Sequence, residues 1–380
     1  MEQTEIEITG LAFGGEGVGR IDGMVCFIPR TAPGDRARIR ITERKKRFLR
    51  GDLVELLAPS DQRTEPPCPV FDRCGGCQWQ HIQYPAQLAA KREHLRETLA
   101  RMAQVHIDIP ELIPSPAIYN YRRSARLKVD KQRRIGFHER QSHRMVPIDT
   151  CPVFEPQLND YLPVLRRELE KLRRPPTEAE LLRRESEPVQ HAFLWTGEHS
   201  KIGFVQANEA VNLALQEEIG AYLAEHLSEE EEILDLFCGD GNLSLPLAQR
   251  GMRVRGYDIN RPAIHKAQRR AKELGLTRAV YSRAPYQHLI DTLHSQSEDY
   301  EALILDPPRA GLEGKAGLIA ELAIPRIVYV SCIPAILARD LLFFLKCGYT
   351  IDRVQPLDMF PQTFHIETVV FLSLETVDEE

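Results

Sequence analysis

The residues of this 380-residue chain that could do chemistry together are one thiol, Cys332, and two carboxylates, Asp306 and Glu367. Each stands where an apolar run meets a loop: Ser331-Cys332-Ile-Pro334, Asp306-Pro-Pro-Arg-Ala-Gly311, and the end of Pro356-Leu-Asp-Met-Phe-Pro-Gln-Thr-Phe-His-Ile-Glu367. A thiol at a strand end suits a nucleophile, and a carboxylate beside it a general base. The plain alternatives are a small buried thiol that only packs and a solvent-facing Glu367. With a methyl donor, this set suggests one reaction. Carbon 5 of a pyrimidine is too weak a nucleophile to take a methyl group directly. A thiolate adding to carbon 6 makes an enolate whose carbon 5 is nucleophilic, a base then removes the carbon 5 proton, and the thiol leaves. Cys332 suits the nucleophile and Glu367 the base, while Asp306 can hydrogen-bond the ring or the donor. Enzymes that methylate exocyclic amines typically carry Asn-Pro-Pro-aromatic and no catalytic thiol.

The donor site is read from Glu232-Ile-Leu-Asp-Leu-Phe-Cys-Gly-Asp-Gly-Asn-Leu-Ser-Leu-Pro-Leu-Ala248. A short apolar run breaks at Gly239-Asp-Gly241 and a helical pattern follows, the arrangement that offers backbone N–H groups to a nucleotide-like ligand. Two glycines after a strand often make only a tight turn. Asp258 adds weight, because it ends a second strand about 20 residues on, where a carboxylate can accept both ribose hydroxyls. The loop is closer to those of S-adenosylmethionine (SAM) enzymes than to the G-x-G-x-x-G of NAD enzymes.

Positioning these groups requires a doubly wound α/β sheet. Strands are expected at 233–237, 253–258, 279–282, 302–306, 326–331, 349–355 and 366–374, with the last two forming a hairpin that brings Glu367 to the edge shared by Asp306 and Cys332. Upstream, residues 1–58 read as a small glycine-punctuated, OB-like β-barrel that contacts RNA, or as an interaction barrel without nucleic acid. Pro59–Pro69 reads as a linker, 59–205 as a central domain, and 206–380 as the catalytic domain. Helices are expected over 84–101, 161–172 and 209–227, and further strands at 193–195 and 202–205.

Eight cysteines in a chain of cytosolic character argue for metal or catalysis rather than disulfides. Cys68-Pro-Val-Phe-Asp-Arg-Cys74-Gly-Gly-Cys77, with Cys151-Pro152 as fourth ligand, is closer to iron–sulfur ligation than to the paired C-x-x-C of zinc ribbons, with zinc as the other reading. Cys26 and Cys347 are expected to pack, and Cys238 belongs to the glycine turn.

Composition is that of a globular protein, 43% hydrophobic and 27% charged. The start carries no signal-peptide pattern and no apolar run is long enough to span a bilayer, so a cytoplasmic location is expected. A net charge of −6 does not predict nucleic-acid binding. The basic stripes Arg36–Arg50 and Arg122–Arg134 do offer phosphate contacts, the alternative being solvated strand faces.

These motifs together resemble the RNA uracil-5-methyltransferase family, in the branch with an N-terminal TRAM (OB-like) domain and a 4Fe–4S cluster. The resemblance runs essentially end to end, through Leu11-Ala-Phe-Gly-Gly-Glu-Gly-Val18, the cysteine set, Phe204-Val-Gln-Ala-Asn208, Asp235-Leu-Phe-Cys-Gly239, Asp306-Pro-Pro-Arg-Ala-Gly311, Val330-Ser-Cys332 and Asp358-Met-Phe-Pro-x-Thr-x-His-Ile-Glu367. It implies a Rossmann-like methyltransferase sheet and a strand-rich central domain. It also implies SAM as cofactor, bound by Gln206, Phe237, Gly239, Gly241, Asn242, Asp258 and Asp306, with Cys332 as nucleophile and Glu367 as base. A 4Fe–4S cluster on Cys68, Cys74, Cys77 and Cys151 is implied as well. The branch suggests 23S ribosomal RNA as partner, then the tRNA T-loop, with the protein a monomer. Three positions depart from the pattern: Asp258 stands for the usual Glu, Ile333 for Asn, and Ala284 for an Asp or Asn facing adenine. A reading from another class, a non-catalytic RNA-binding or assembly protein with a decayed cofactor site, rests on Ile333 and Ala284 and is opposed by the Cys332–Glu367 pair.

Overall fold

A computed structural model describes residues 3–184, 187–285, 290 and 300–374. The chain gathers into two compact units, one formed by Met1–His94, Pro114–Ala210 and Met359–His365, the other by Leu95–Ile113, Val211–Asp358 and Ile366–Glu380.

The first unit opens with β1 (Gln3–Glu7), β2 (Gly10–Leu11), β3 (Gly17–Ile21), β4 (Met24–Ile28), β5 (Arg36–Arg44) and β6 (Phe48–Ala58), hydrogen-bonded in the order β1-β5-β6-β4-β3-β2. The β4–β6 pair is parallel and the others are antiparallel. Alternation along β5 sends Ala37 and Ile39 into a core with Ile6, Ile8, Cys26, Ile28 and Leu49, and leaves Arg36 and Arg40 exposed. A second sheet, all antiparallel, runs β11-β10-β7-β8-β9. Its strands are β7 (Ser124–Val129), β8 (Ile135–His138), β9 (Met145–Pro147), β10 (Glu178–Leu182) and β11 (Gln190–Leu194). Helix α2 (Pro156–Lys171) buries Leu158, Leu162, Leu165 and Leu169, spaced four, three and four apart, in the same core as Leu127, Ile135 and Leu181.

Two sequence expectations need correction here. Residues 202–205 form no strand: Gly203 has φ +81° and Phe204 is 73% exposed, so the apolar run has no sheet to face. The first helix is regular only over α1 (Tyr84–Thr98), after which Leu99–Ala103 widens into a π-helical turn closed by Gln104 at φ +57°.

In the second unit, α3 (Glu209–His226) leads into a seven-stranded sheet of order β14-β13-β12-β15-β16-β18-β17. The strands are β12 (Glu232–Leu236), β13 (Arg253–Asp258), β14 (Ala279–Arg283), β15 (Ala302–Leu305), β16 (Arg326–Ser331), β17 (Tyr349–Leu357) and β18 (Glu367–Leu374). The first five are parallel to one another, while β18 runs antiparallel to both β16 and β17. Leu303, Ile304, Leu305, Ile327, Val328 and Val330 are fully buried, the continuous apolar pattern of strands covered on both faces. The order reverses at β12: the chain winds out through β13 and β14, then returns to β15 on the other side. The crevice at the carboxyl ends of β12 and β15 is therefore the topological switch point, where open α/β sheets bind ligands. Among the described residues, no helix is long and apolar enough to cross a membrane.

Candidate functional site

The loop after β12 is shaped by residues that can adopt positive φ. Phe237, Gly239 and Gly241 have φ of +66°, +55° and +79°. At Gly241 a Cβ would meet the Leu245 side chain at 2.8 Å and the Tyr281 hydroxyl at 3.1 Å, so only glycine fits without displacement. Asp258 fastens the loop from the end of β13. Its Oδ2 accepts the Gly239 N–H at 3.0 Å and its Oδ1 the Asn260 N–H at 2.6 Å. Each oxygen keeps further lone-pair capacity for a ligand hydroxyl. The loop runs into α4 (Ser244–Gln249), and Asn260 in turn caps α5 (Arg261–Glu273) by accepting the Ala263 N–H.

Asn242 sits at the far end of the loop with its amide already engaged. It exchanges hydrogen bonds with Asn212 of α3 at 3.0 and 2.9 Å, and its Oδ1 also accepts from Gln216 Nε2 at 3.1 Å. Its side chain therefore anchors the loop to α3. Gln206 belongs to the other compact unit, where its carbonyl accepts from Arg123 Nε at 3.0 Å. Ala284 lies just past β14 and donates its N–H to the Asp258 carbonyl at 3.2 Å.

One site residue was missed by sequence reasoning. Asp235 is buried within β12, and its Oδ2 has no hydrogen-bond partner. Burial, with the neighbouring Asp306 and Asp258 charges, pushes its carboxyl up to about 8, against the pull of a hydrogen bond from Ser244. The signal was available: a carboxylate inside an otherwise apolar strand run, four residues before the glycine turn.

Asp306 follows β15. Burial raises its carboxyl to about 7. The turn beyond it is held from below by buried Asp340, whose Oδ2 accepts the Leu312 N–H at 2.9 Å and the Tyr329 hydroxyl at 2.7 Å. Cys332 follows β16, at the head of the helix α7 (Pro334–Lys346; α6 is Ala316–Ala320), and is half-buried. Its thiol is raised to about 11 by burial first and the Glu367 charge second, with Arg309 opposing. Glu367 is the buried first residue of β18, and its carboxyl is held well above the usual range by burial and then by Asp306, with Arg309 again opposing. The β16–β18 register ends at Ser331 opposite Thr368, so Cys332 and Glu367 stand just beyond the last rung at the same end. The cofactor loop, Asp306, Cys332 and Glu367 thus occupy the carboxyl edge of one sheet, as the strand pattern predicts.

In the first unit, Cys68, Cys74, Cys77 and Cys151 line one cavity with Val70, Phe71, Tyr121 and Phe154. Successive turns closed by Phe71 N–H to the Cys68 carbonyl at 3.1 Å and by Cys74 N–H to the Val70 carbonyl at 2.8 Å carry the first two, and Asn159 holds Cys151 through its backbone N–H at 2.8 Å. Among the described residues, no group of three His, Cys, Asp or Glu closes on a single metal ion. Burial is the main cause that raises the Cys77 thiol to about 11 and Cys151 to about 12, and the neighbouring cysteines add to both.

The basic stripes are largely paired. Arg38 meets Glu55 at 2.5 Å and Glu5 at 3.4 Å, Arg40 meets Asp52 at 3.1 Å, Arg134 meets Asp130 at 2.7 Å, and Arg126 and Lys128 share Glu178. Such exposed pairs are worth at most about 1 kcal/mol each and can yield to phosphates. Lys46 and Arg47, at the tip of the β5–β6 turn, are exposed.

Comparison with known proteins agrees with this geometry. The family model "tRNA (Uracil-5-)-methyltransferase" matches residues 190–375, and the TRAM domain model matches residues 2–54. The 23S rRNA (uracil(1939)-C(5))-methyltransferase RlmD of Pectobacterium atrosepticum is 33% identical, over 95% of this chain and 92% of its own length. The RlmD of Vibrio parahaemolyticus is 31% identical, over 96% and 94%. Among solved structures, the Pyrococcus abyssi tRNA (uracil-54, C5)-methyltransferase in complex with S-adenosyl-L-homocysteine superposes with a TM-score of 0.69 at 25% identity, covering 97% of this chain and all of that one. A doubly wound sheet with a thiol and two carboxylates at its carboxyl edge, an N-terminal TRAM barrel and relatives matched along nearly their whole length identify the chain as a member of the RNA uracil-5-methyltransferase family.

Proposed function

We propose that this chain methylates carbon 5 of a uridine in structured RNA, with 23S ribosomal RNA as its substrate and Cys332 and Glu367 as its catalytic residues. The observation that carries the proposal is the position of that pair, one step past the Ser331–Thr368 rung at the same sheet edge as Asp306 and the glycine loop. The near-full-length match to relatives named for 23S rRNA favours that substrate. The solved neighbour named for tRNA keeps the T-loop uridine as the second reading.

Cys332 adds as thiolate to carbon 6, placing an electron pair on the ring as an enolate. Asp306, with its carboxyl raised to about 7 by burial, is suited to donate a hydrogen bond to the enolate oxygen in its protonated form. Bound SAM supplies an electrophilic methyl group. Glu367 then takes the carbon 5 proton; the C–H electrons re-form the carbon 5–carbon 6 double bond and expel the thiolate. The loop N–H groups at Gly239 and Gly241, Phe237 and Asp258 would hold the donor, with Asn242 fixing the loop through Asn212. Reaching this site requires the uridine to leave its stack. The division into a TRAM barrel over 1–58, a central domain over 59–205 and a catalytic domain over 206–380 assigns RNA capture to the first two. The same reading makes the protein a monomer acting in the cytoplasm on RNA being processed there.

We propose further that Cys68, Cys74, Cys77 and Cys151 hold a 4Fe–4S cluster. Four thiols lining one apolar-walled cavity, in a three-plus-one spacing with two Cys-Pro pairs, support a cluster over the paired C-x-x-C pattern of a single zinc. The cluster would tie the cysteine loop to the β9–α2 connection.

The test is mass mapping of methylated uridines in total RNA from a deletion strain, repeated after complementation. Loss of one 5-methyluridine in 23S rRNA supports the proposal. Loss confined to tRNA selects the second reading, and an unchanged map, with the purified protein inert on both RNAs, contradicts both.

A further inference from the structure

We infer that the first unit carries a second nucleotide-binding subsite, formed by Phe13, Phe364 and Arg140, which takes a base and phosphate of single-stranded RNA other than the target uridine. The inference rests on the reading of the chain as an enzyme acting on RNA. A broad cavity is lined by Phe13, Arg50, His138, Arg140 and Phe364 together with Gly75–Gly76 of the cysteine loop.

The aromatic wall reaches solvent at Phe13 and is half-buried at Phe364. Phe13 is 47% exposed, and its ring meets Phe364 edge-on at 5.0 Å. Phe364 lies at 4.2 Å over the His365 ring. The turn behind Phe13 is fixed because the Gly15 carbonyl accepts the indole N–H of buried Trp79 at 3.2 Å, and a Cβ on Gly15 would strike Gln78 at 2.5 Å. A large apolar ring kept in solvent on a fixed turn is a platform for a base, because every base has a π face to stack.

The charge opposite is unspent. Glu16 takes up Arg50, while Glu139 pairs with both Arg73 and Arg144 at 3.2 Å. Arg140 Nη1 is shut off from solvent with no hydrogen-bond partner, and the Glu16 carboxylate that acts on its guanidinium is already paired with Arg50. A shielded, unpartnered guanidinium is costly unless a ligand anion completes it, and its planar fork matches phosphate. Gly75 brings the backbone close to it: a Cβ there would meet the His138 carbonyl at 2.9 Å and Arg140 N at 3.2 Å.

The probe is a fluorescein-labelled oligouridylate titrated against the full-length protein, with a 4-thiouridine version for photocrosslinking. Phe13→Ala and Arg140→Gln are each expected to weaken binding about tenfold or more, and SAM binding should be unchanged. The Arg140→Gln variant should also lower the salt slope by about 0.7, and Arg140→Lys should restore that slope. Crosslinks should map to peptides containing Phe13 or Phe364. Wild-type affinity in both variants, or crosslinks that avoid both peptides, would overturn the subsite. A wild-type protein that methylates no uridine would instead overturn the function proposed above, a result read separately from oligonucleotide binding.

Discussion

Cys332 and Glu367 continue the antiparallel register of β16 and β18 by one step, past Ser331 opposite Thr368. The proximity has an electrostatic consequence. Glu367 is the second cause, after burial, of a thiol raised to about 11. In Glu367→Gln that contribution disappears, so the midpoint of Cys332 alkylation should move down in pH while staying above 9, because burial remains. Iodoacetamide labelling of the Cys332 peptide as a function of pH, read by mass spectrometry, checks this. An unchanged midpoint would mean that the two groups do not interact.

Asp258 holds the cofactor loop through the Gly239 N–H and the start of α5 through the Asn260 N–H. Asp258→Asn keeps one acceptor oxygen and should weaken SAM binding about tenfold, as expected for loss of a charge-assisted hydrogen bond. Asp258→Ala removes both and should cost about a hundredfold. Calorimetric titration with SAM distinguishes these from a loop indifferent to Asp258.

Much of this arrangement is legible in the sequence, for physical reasons. Strands β13 and β16 span the expected residues because buried parallel strands are short apolar runs bounded by turns. The edge position of Glu367 follows from reading the last two strands as a hairpin. What is not legible depends on partners distant in sequence. The stretch 202–205 has the apolar content of a strand but no neighbour to pair with. Helix α1 gives way to a π turn whose Leu99 and Ala103 are buried, a choice set by packing rather than propensity. Nothing local announces that Asn242 will spend its amide on Asn212, thirty residues upstream. The basic stripes are visible as composition, whereas Glu5, Asp52, Glu55 and Glu178, which pair with them, come from other strands; only Asp130 is local to its partner among the pairs named above.

Asp235 predicts a pH signature of stability. Its folded carboxyl lies near 8, well above the ordinary 3.8, so the native state binds the proton more tightly than the unfolded chain. Its contribution to stability is therefore lost as pH rises through that window. Asp235→Asn should protect β12 amides more than wild type at pH 8 and no better at pH 4, measured by hydrogen exchange. Equal protection at pH 8 would show that Asp235 is ionised there without cost.

Loss of the proposed cluster should act locally. Protein purified without oxygen should be brown and contain about four irons with inorganic sulfide. Cys151→Ser should lose them, together with affinity for RNA, while SAM binding survives, because the glycine loop proposed to hold SAM lies in the second unit. One zinc without sulfide would replace the cluster by a structural zinc.

The central claim is that Cys332 bonds to carbon 6 and is released only after Glu367 takes the carbon 5 proton. Its most direct test is denaturing electrophoresis of Glu367→Gln incubated with SAM and substrate RNA, beside Cys332→Ala and wild type. The predicted result is a stable protein–RNA adduct in Glu367→Gln, carrying a methylated uridine joined to the Cys332 peptide, and neither adduct nor methylation in Cys332→Ala. Methylation by Cys332→Ala, or an adduct joined to another residue, would contradict it.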